Sequence, residues 1–308
     1  MISITQIQYV LALNQTRHFA EAAKLCFVTQ PTLSMQLQKL EEELNVILFD
    51  RSKNPIIPTP IGEKLILQMK EIISSVDKLK WLIESENRVP SGELKVGVIP
   101  TVAPYLLPLF LKKFESLYPK IELKFYELQT HVLLEKLNDD VIDVGLLATP
   151  LNDNRFIERN LYFEKILLYL DSKNILKNEI EISEEQINKQ QIFLLTEGNC
   201  LRNQTLKICH KSSTNTKFES GNIETLVNMV NHLGGTTFIP ELAQFHSRYH
   251  KNQIKEIKYH PVREISLITR RSFYKDNLIE ILEKVIIDSL PEQIQTKKSN
   301  KLKILKID

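Results

Sequence analysis

The apolar residues change their period at one place, Val89-Pro90-Ser91-Gly92, and that break limits what the chain can become more than any other feature. Before it the spacing is helical apart from residues 50–60. After it short β-type runs alternate with helical ones. Pro beside Ser and Gly stops a helix, so residues 89–92 read as a hinge between two differently built parts. A length of 308 residues suits about two domains, or one small domain followed by a two-lobed one. With 43% hydrophobic residues the chain can bury substantial cores.

In the first part Ile4, Ile7, Val10, Leu11 and Leu13 form a helical stripe, and a short second helix over 18–25 turns Phe19, Ala22 and Ala23 inward. Thr29 is a candidate N-cap, and Pro31 is tolerated in a first turn. The helix that follows puts Leu33, Leu37, Leu40 and Leu44 on one face, leaving Thr32, Ser34, Met35, Gln36 and Lys39 largely off it. Two helices joined by a tight turn, the second polar outside, make a helix-turn-helix pattern. Residues 50–60 offer a hairpin-like wing carrying Arg51 and Lys53. Charge alone does not identify a partner: residues 1–90 hold ten Lys and Arg against ten Asp and Glu. Residues 60–88 keep a helical period through Ile61, Leu65, Leu67, Met69, Ile72, Ile73, Val76, Leu79, Trp81 and Leu82, more apolar surface than a lone exposed helix carries.

In the second part strands are expected at 94–98, 121–126, 141–146, 192–195 and 236–239. Helices are expected at 102–117, 130–138, from Ile223, and at 276–289. This βαβ order implies a largely parallel sheet. Thr101 and Thr130 each follow a strand end, where ligands of open α/β folds bind.

Cys200 and Cys209 are two of only three cysteines. So few thiols exclude a disulfide scaffold. Asn199 can cap a helix, placing Cys200 in a first turn beside the positive dipole end, and Arg202 adds charge. Both favour a thiolate. Nine steps of intact helix separate the two Cα atoms by roughly 13 Å, whereas a disulfide needs them within about 7 Å. The pair therefore closes only if the helix unwinds. The alternative reading is two inert, buried small hydrophobes.

The run FAEAAKLCFVTQPTLSMQLQKLEEELNVILFDR resembles the DNA-binding domain of LysR-type transcriptional regulators. The resemblance implies an α+β architecture: a winged helix-turn-helix domain over 1–60, a linker and dimerisation helix over 61–90, and a two-lobed α/β sensor like a periplasmic binding protein over 91–308. Lobe I then takes 91–163 and 268–295, and lobe II takes 164–267, with crossovers near 163–166 and 266–268. By the same resemblance Gln30, Pro31, Thr32 and Ser34 meet the major groove of double-stranded DNA, and Arg51 and Lys53 lie near phosphates. Met35 replaces an Arg common in the family. Cys26 reads as an inert core residue.

Within the family the sensor half is similar to the branch that senses hydrogen peroxide. The likeness rests on GVIPTVAPYLLP at 97–108, ELQTH at 127–131, and LLTEGNCLRNQ at 194–204 continued through Cys209 and SGNIETL at 220–226. It implies an activator in which Cys200 attacks peroxide, Cys209 resolves, Thr101 and Thr130 bind peroxide and a water, and Arg202 favours the thiolate. It also implies a dimer of dimers, RNA polymerase as a partner, resetting by glutaredoxin or thioredoxin, and no cofactor or metal. The competing reading keeps the fold but gives the cleft a small metabolite and leaves the cysteines inert. A thiol peroxidase or a transport-type binding protein fits the helix-turn-helix poorly.

Other features are weaker. His246 and His250 have the i, i+4 spacing of metal ligands but no obvious third ligand. His210 beside Cys209 reads as polar surface, and Arg270-Arg271 as a solvated strand end or an anion site. Neither a G-x-G-x-x-G nor a P-loop is present. Residues 296–308 carry five Lys and one Asp, +4, so with a total of +2 the other 295 residues sum to −2. That tail reads as a solvated terminus. No basic n-region with a cleavage site precedes the first helix and no apolar run suits a membrane, so a cytoplasmic protein is expected.

Asn199 stands where the family often has His before the reactive cysteine, and Asn203 where it often has Asp, a carboxylate partner for Arg202. Replacing Asn199→His is expected to speed sulfenate formation in stopped-flow mixing with peroxide. An unchanged rate rules out a proton-shuttle role at this position.

Overall fold

The computed structural model describes residues 1–85, 89–209, 218–247, 249–294 and 303–305. His210 lies outside them. The chain forms two compact units, residues 1–88 with 272–275, and residues 89–271 with 276–308.

The first unit begins with α1 (Ile4–Thr16), whose capping box pairs Ser3 and Gln6 reciprocally. The helix stops where Arg17 turns left-handed at φ 55°. Next come α2 (Phe19–Leu25) and α3 (Gln30–Leu44). Thr29 caps α3 by accepting from Thr32 N at 3.4 Å, and Leu33, Leu37 and Leu40 are fully buried. They pack with Val10, Leu13, Leu48 and Phe49 in one core, and Cys26 packs partly buried at its edge. The strands β1 (Phe49–Asp50) and β2 (Ile57–Pro58) pair antiparallel as the wing. The long helix α4 (Pro60–Ser85) sends Ile66 and Met69 into the same core. Its other flank leaves Ile61, Leu67, Ile72 and Leu79 exposed.

The second unit runs β3 (Gly92–Val98), α5 (Ala103–Leu117), β4 (Ile121–Glu127), α6 (Thr130–Asn138), β5 (Val144–Thr149) and β6 (Phe156–Leu170). It continues through β7 (Glu181–Ile182), α7 (Glu184–Asn188), β8 (Ile192–Leu195), α8 (Cys200–Cys209), β9 (Glu219–Ser220), α9 (Ile223–Leu233) and β10 (Thr236–Pro240). It ends with β11 (Ile254–Ile257), β12 (Pro261–Arg270), α10 (Asp276–Ile287) and β13 (Lys303–Ile304). Strand order is β4-β3-β5-β12-β6-β10-β8-β9. The strands β4, β3 and β5 are parallel and make lobe I, while β10, β8 and β9 are parallel and make lobe II. The antiparallel pair β6 and β12 joins them. Strand β6 pairs with β12 through Lys165 and with β10 from Ile166, so it crosses between lobes there. Strand β12 already pairs with lobe I's β5 from Glu264 to Ile268, so residues 266–268 lie inside that ladder rather than at a crossover.

Several expectations are corrected. The strand expected at 141–146 is β5 at Val144–Thr149, because Val141 N and Ile142 N still bond to Lys136 O and close the end of α6. His246 and His250 share no helix face: a 3-10 turn, Glu241–Phe245, ends at His246, and the intervening Tyr249 is buried. Arg270 pairs with Asp140, and Arg271 donates to Asn154 O at 2.6 Å, so neither is a bare cationic strand end. The tail is not wholly solvated, since β13 joins the parallel edge of β12 and Leu305 is buried.

A Cβ on Gly62, in the first turn of α4, would stand 2.1 Å from the Leu48 carbonyl oxygen, a backbone atom that cannot swing aside. Gly62→Ala is expected to cost about 1–3 kcal/mol, read as a lower urea midpoint by circular dichroism. An unchanged midpoint contradicts this packing.

Candidate redox site and DNA-binding face

Lobe I brings Thr101 from the turn after β3 and Thr130 as the first residue of α6. Lobe II brings Cys200 as the first residue of α8. The loop between β8 and α8 reaches α8 through Gly198, which adopts φ +87° and packs so closely on the Gln129 side chain that a Cβ would sit 2.8 Å from its Oε1. The two helix N-termini thus meet around one sulfur, whose thiolate form is favoured by the Thr130 hydroxyl and by the backbone N–H groups of Cys200 and Leu201.

Asn199 does not act as the expected side-chain cap. Its Nδ2 donates to Thr196 O at 3.0 Å, and its own carbonyl accepts Arg202 N at 3.0 Å. Arg202 is also drawn away from the thiol. Its Nη1 donates to Glu219 Oε1 at 2.8 Å and to Leu195 O. Glu219 therefore supplies the carboxylate that Asn203 lacks.

The cation that acts on Cys200 is Arg263, in the middle of the sheet on β12, which sequence reasoning did not single out. It is fully buried and ion-paired to equally buried Glu164 on β6, with Nε and Nη2 at 2.9 and 2.8 Å from Oε1. Its Nη1 donates to Thr101 Oγ1 at 2.9 Å, and its Nη2 to Thr101 O at 2.9 Å. A hydroxyl has one proton and two lone pairs. With one lone pair committed to Arg263, the Thr101 O–H remains a donor. A charged residue inside an apolar strand run was the one available signal, present in both Tyr162-Phe163-Glu164-Lys165-Ile166 and Val262-Arg263-Glu264-Ile265.

The balance of effects on Cys200 reverses the expected sign. Burial pushes its thiol pKa up, and the Arg263 charge, the Thr130 hydroxyl and the helix N–H groups oppose this without overcoming it. Cys200 and Cys209 are both buried and unbridged, at the two ends of an intact α8.

Between the lobes, Tyr105 of α5 meets Tyr249 at 2.7 Å between hydroxyls, and both donate to Glu224 of α9, at 3.2 and 2.8 Å. Side chains of the protein itself bridge this part of the interlobe space.

On the first unit Gln30 and Pro31 are exposed at the start of α3, with Thr32 and Ser34 half-buried beside them. Met35 is 60% exposed on the same helix. Lys53 projects from the wing. Arg51 does not project freely: it binds Glu41 at 2.6 Å and lies over the Phe19 ring. Glu41 also accepts Leu48 N at 2.7 Å, so this pair fastens the wing to α3.

A winged helix-turn-helix unit followed by a long helix and a two-lobed α/β unit is the architecture of a bacterial transcription regulator. Residues 4–63 match the bacterial regulatory helix-turn-helix protein family, lysR type, and residues 87–290 match the LysR substrate binding domain. A hydrogen peroxide-inducible genes activator of Haemophilus influenzae is 35% identical, with 94% of this chain and 97% of that protein aligned. Full-length OxyR of Pseudomonas aeruginosa, solved as a cysteine-to-aspartate variant, is 30% identical with a TM-score of 0.77, covering 94% of this chain and 99% of that one. A cysteine-to-serine variant of Corynebacterium glutamicum OxyR with H2O2 bound is 27% identical with a TM-score of 0.62, covering 93% and 92%. The chain belongs to the LysR family of transcription regulators, and its similar relatives include OxyR proteins.

Because a thiolate is the reactive form, alkylation of native Cys200 by iodoacetamide is expected to climb from pH 7 to 9 with no plateau below the ordinary thiol value of 9.0. Thr130→Val removes one hydrogen bond to the thiolate and is expected to slow alkylation at pH 8 several-fold. A plateau near pH 6 in the unaltered protein contradicts the dominance of burial.

Proposed function

We propose that this protein is a transcriptional activator that senses hydrogen peroxide through a reversible disulfide between Cys200 and Cys209. The Arg263 charge, the Thr130 hydroxyl and two helix N–H groups that act on Cys200, with Thr101 held by the same Arg263, carry the reading. The Cys200 thiolate attacks one peroxide oxygen, the O–O bond breaks, and the products are a sulfenic acid and a hydroxide that takes up a proton to become water. The Thr101 hydroxyl, held by Arg263, and the Thr130 hydroxyl donate to the peroxide and its departing oxygen. Cys209 then attacks the Cys200 sulfur. The S–S bond forms, the S–O bond breaks, and the hydroxyl leaves as water. Arg202 takes a supporting role through Glu219, holding the start of α8 against β9.

Closure requires α8 to unwind, since an intact helix holds the Cα atoms roughly 13 Å apart. Inverting a two-state equilibrium from 1:99 to 99:1 takes about 5.5 kcal/mol, and a cross-link supplies about 2–4 kcal/mol. Either the reduced state is already poised near the switch, or loss of the α8 packing supplies the remainder.

In the same reading residues 1–60 bind double-stranded DNA, through Gln30, Pro31, Thr32 and Ser34 in the major groove and Lys53 near phosphates, with Arg51 adding charge while anchoring the wing. Residues 61–90 dimerise through the exposed flank of α4. Residues 91–308 sense, with lobe II across 164–267. A dimer of dimers contacts several groove segments, RNA polymerase is recruited, glutaredoxin or thioredoxin resets the bond, and the protein acts in the cytoplasm. Among the described residues no helix is long and apolar enough to cross a membrane. The oxidation is a signal made once per chain and not a turnover.

Reduced protein pulsed with sub-millimolar peroxide, alkylated and digested, is expected to yield a peptide pair linked through Cys200 and Cys209 by mass spectrometry. Cys200→Ser is expected to abolish the link and any peroxide effect on DNA binding. Full alkylation of both thiols in the pulsed protein overturns the reading in favour of a small-molecule effector.

A further inference from the structure

The strand β13 does more than extend a sheet. It pairs parallel with the start of β12, Lys303 beside Pro261 and Ile304 beside Val262, and Leu305 N donates to Val262 O at 2.9 Å. Leu305 is 8% exposed. Its carbonyl accepts Gln204 Nε2 at 2.8 Å. Gln204 is fully buried and sits in the middle of α8, four residues after Cys200 and five before Cys209. The neighbour of Val262 on β12 is Arg263, the cation acting on Cys200. One short strand therefore touches both the helix that must unwind and the strand that carries the charge.

We propose that residues 303–305 form a latch that holds α8 helical in the reduced protein, with Gln204 as its positioning residue, and that disulfide closure and latch release are coupled. The proposal rests on the redox reading above. When Cys209 attacks the Cys200 sulfenic acid and water leaves, the helix between them has lost its register. Gln204 then cannot keep its bond to Leu305. Coupling is reciprocal: whatever frees the strand eases closure, and closure frees the strand.

The test uses the reduced full-length chain, a Gln204→Leu variant of nearly equal volume, and a chain ended after Leu302. Hydrogen exchange followed by mass spectrometry reads α8, and quenched alkylation reads closure after peroxide or after diamide, a general thiol oxidant. In both variants α8 amides are expected to exchange about fivefold faster, the factor set by one modest hydrogen bond. Closure is expected to quicken by a similar factor, while sulfenate formation at Cys200 stays within about twofold, since neither change removes Thr101, Thr130 or Arg263. Oxidised unaltered protein is expected to lose protection at Val262 and Leu305. Unchanged α8 exchange and closure in both variants overturn the latch. No link in the unaltered chain with peroxide, despite closure with diamide, overturns the peroxide reading and leaves the latch to be decided by exchange and diamide closure.

Discussion

A guanidinium with no exposed surface governs the second unit. Arg263 faces Glu164 across the two strands that join the lobes, and it holds Thr101 by side chain and main chain together. Removing either member of such a pair strands a buried charge, a loss of about 3–5 kcal/mol. The pair therefore fixes the register of β6 against β12, the orientation of one threonine hydroxyl and the field at Cys200 with a single arrangement. Replacing it by apolar residues could preserve stability but would discard the other two.

That field is opposed by the packing that creates it. The enclosure that keeps Arg263 and Glu164 dry also desolvates Cys200, and burial outweighs the favourable neighbours. A sulfur held this way spends most of its time protonated and is spared indiscriminate thiol chemistry. Selectivity then falls to the hydroxyl and N–H donors aimed at it, which favour a small hydroxylic oxidant over a bulky one.

Much of this was legible in the residues. The capping of α3 by Thr29, its leucine stripe, the unit boundary beside 89–92 and most strand and helix positions of the second unit follow from period and punctuation. What escaped was set by distant parts of the chain. Arg202 looked like the charge beside Cys200 because it is close in sequence, yet Glu219 and Leu195 O take it elsewhere. Arg263 lies 63 positions away and is brought in by sheet order alone. The thiol's sign was misjudged because a helix-dipole argument counts donors and omits desolvation. The tail's contact with Gln204 joins residues 101 apart and leaves no local trace.

The phase of α8 carries one more consequence. Nine residues at about 100° each turn the helix through two and a half turns, so the two sulfurs leave it on opposite sides. Buried Cys200, Gln204, Ile208, Leu201, Thr205 and Cys209 fill the half-circle between them. In the proposed switch, oxidation of the first thiol therefore cannot pass directly to the second. An interval separates the two events, as long as the helix takes to come apart, and during it the oxidised sulfur is open to competing thiols small enough to enter. The signal of such a switch depends on which arrives sooner, the chain's own second cysteine or a stranger's.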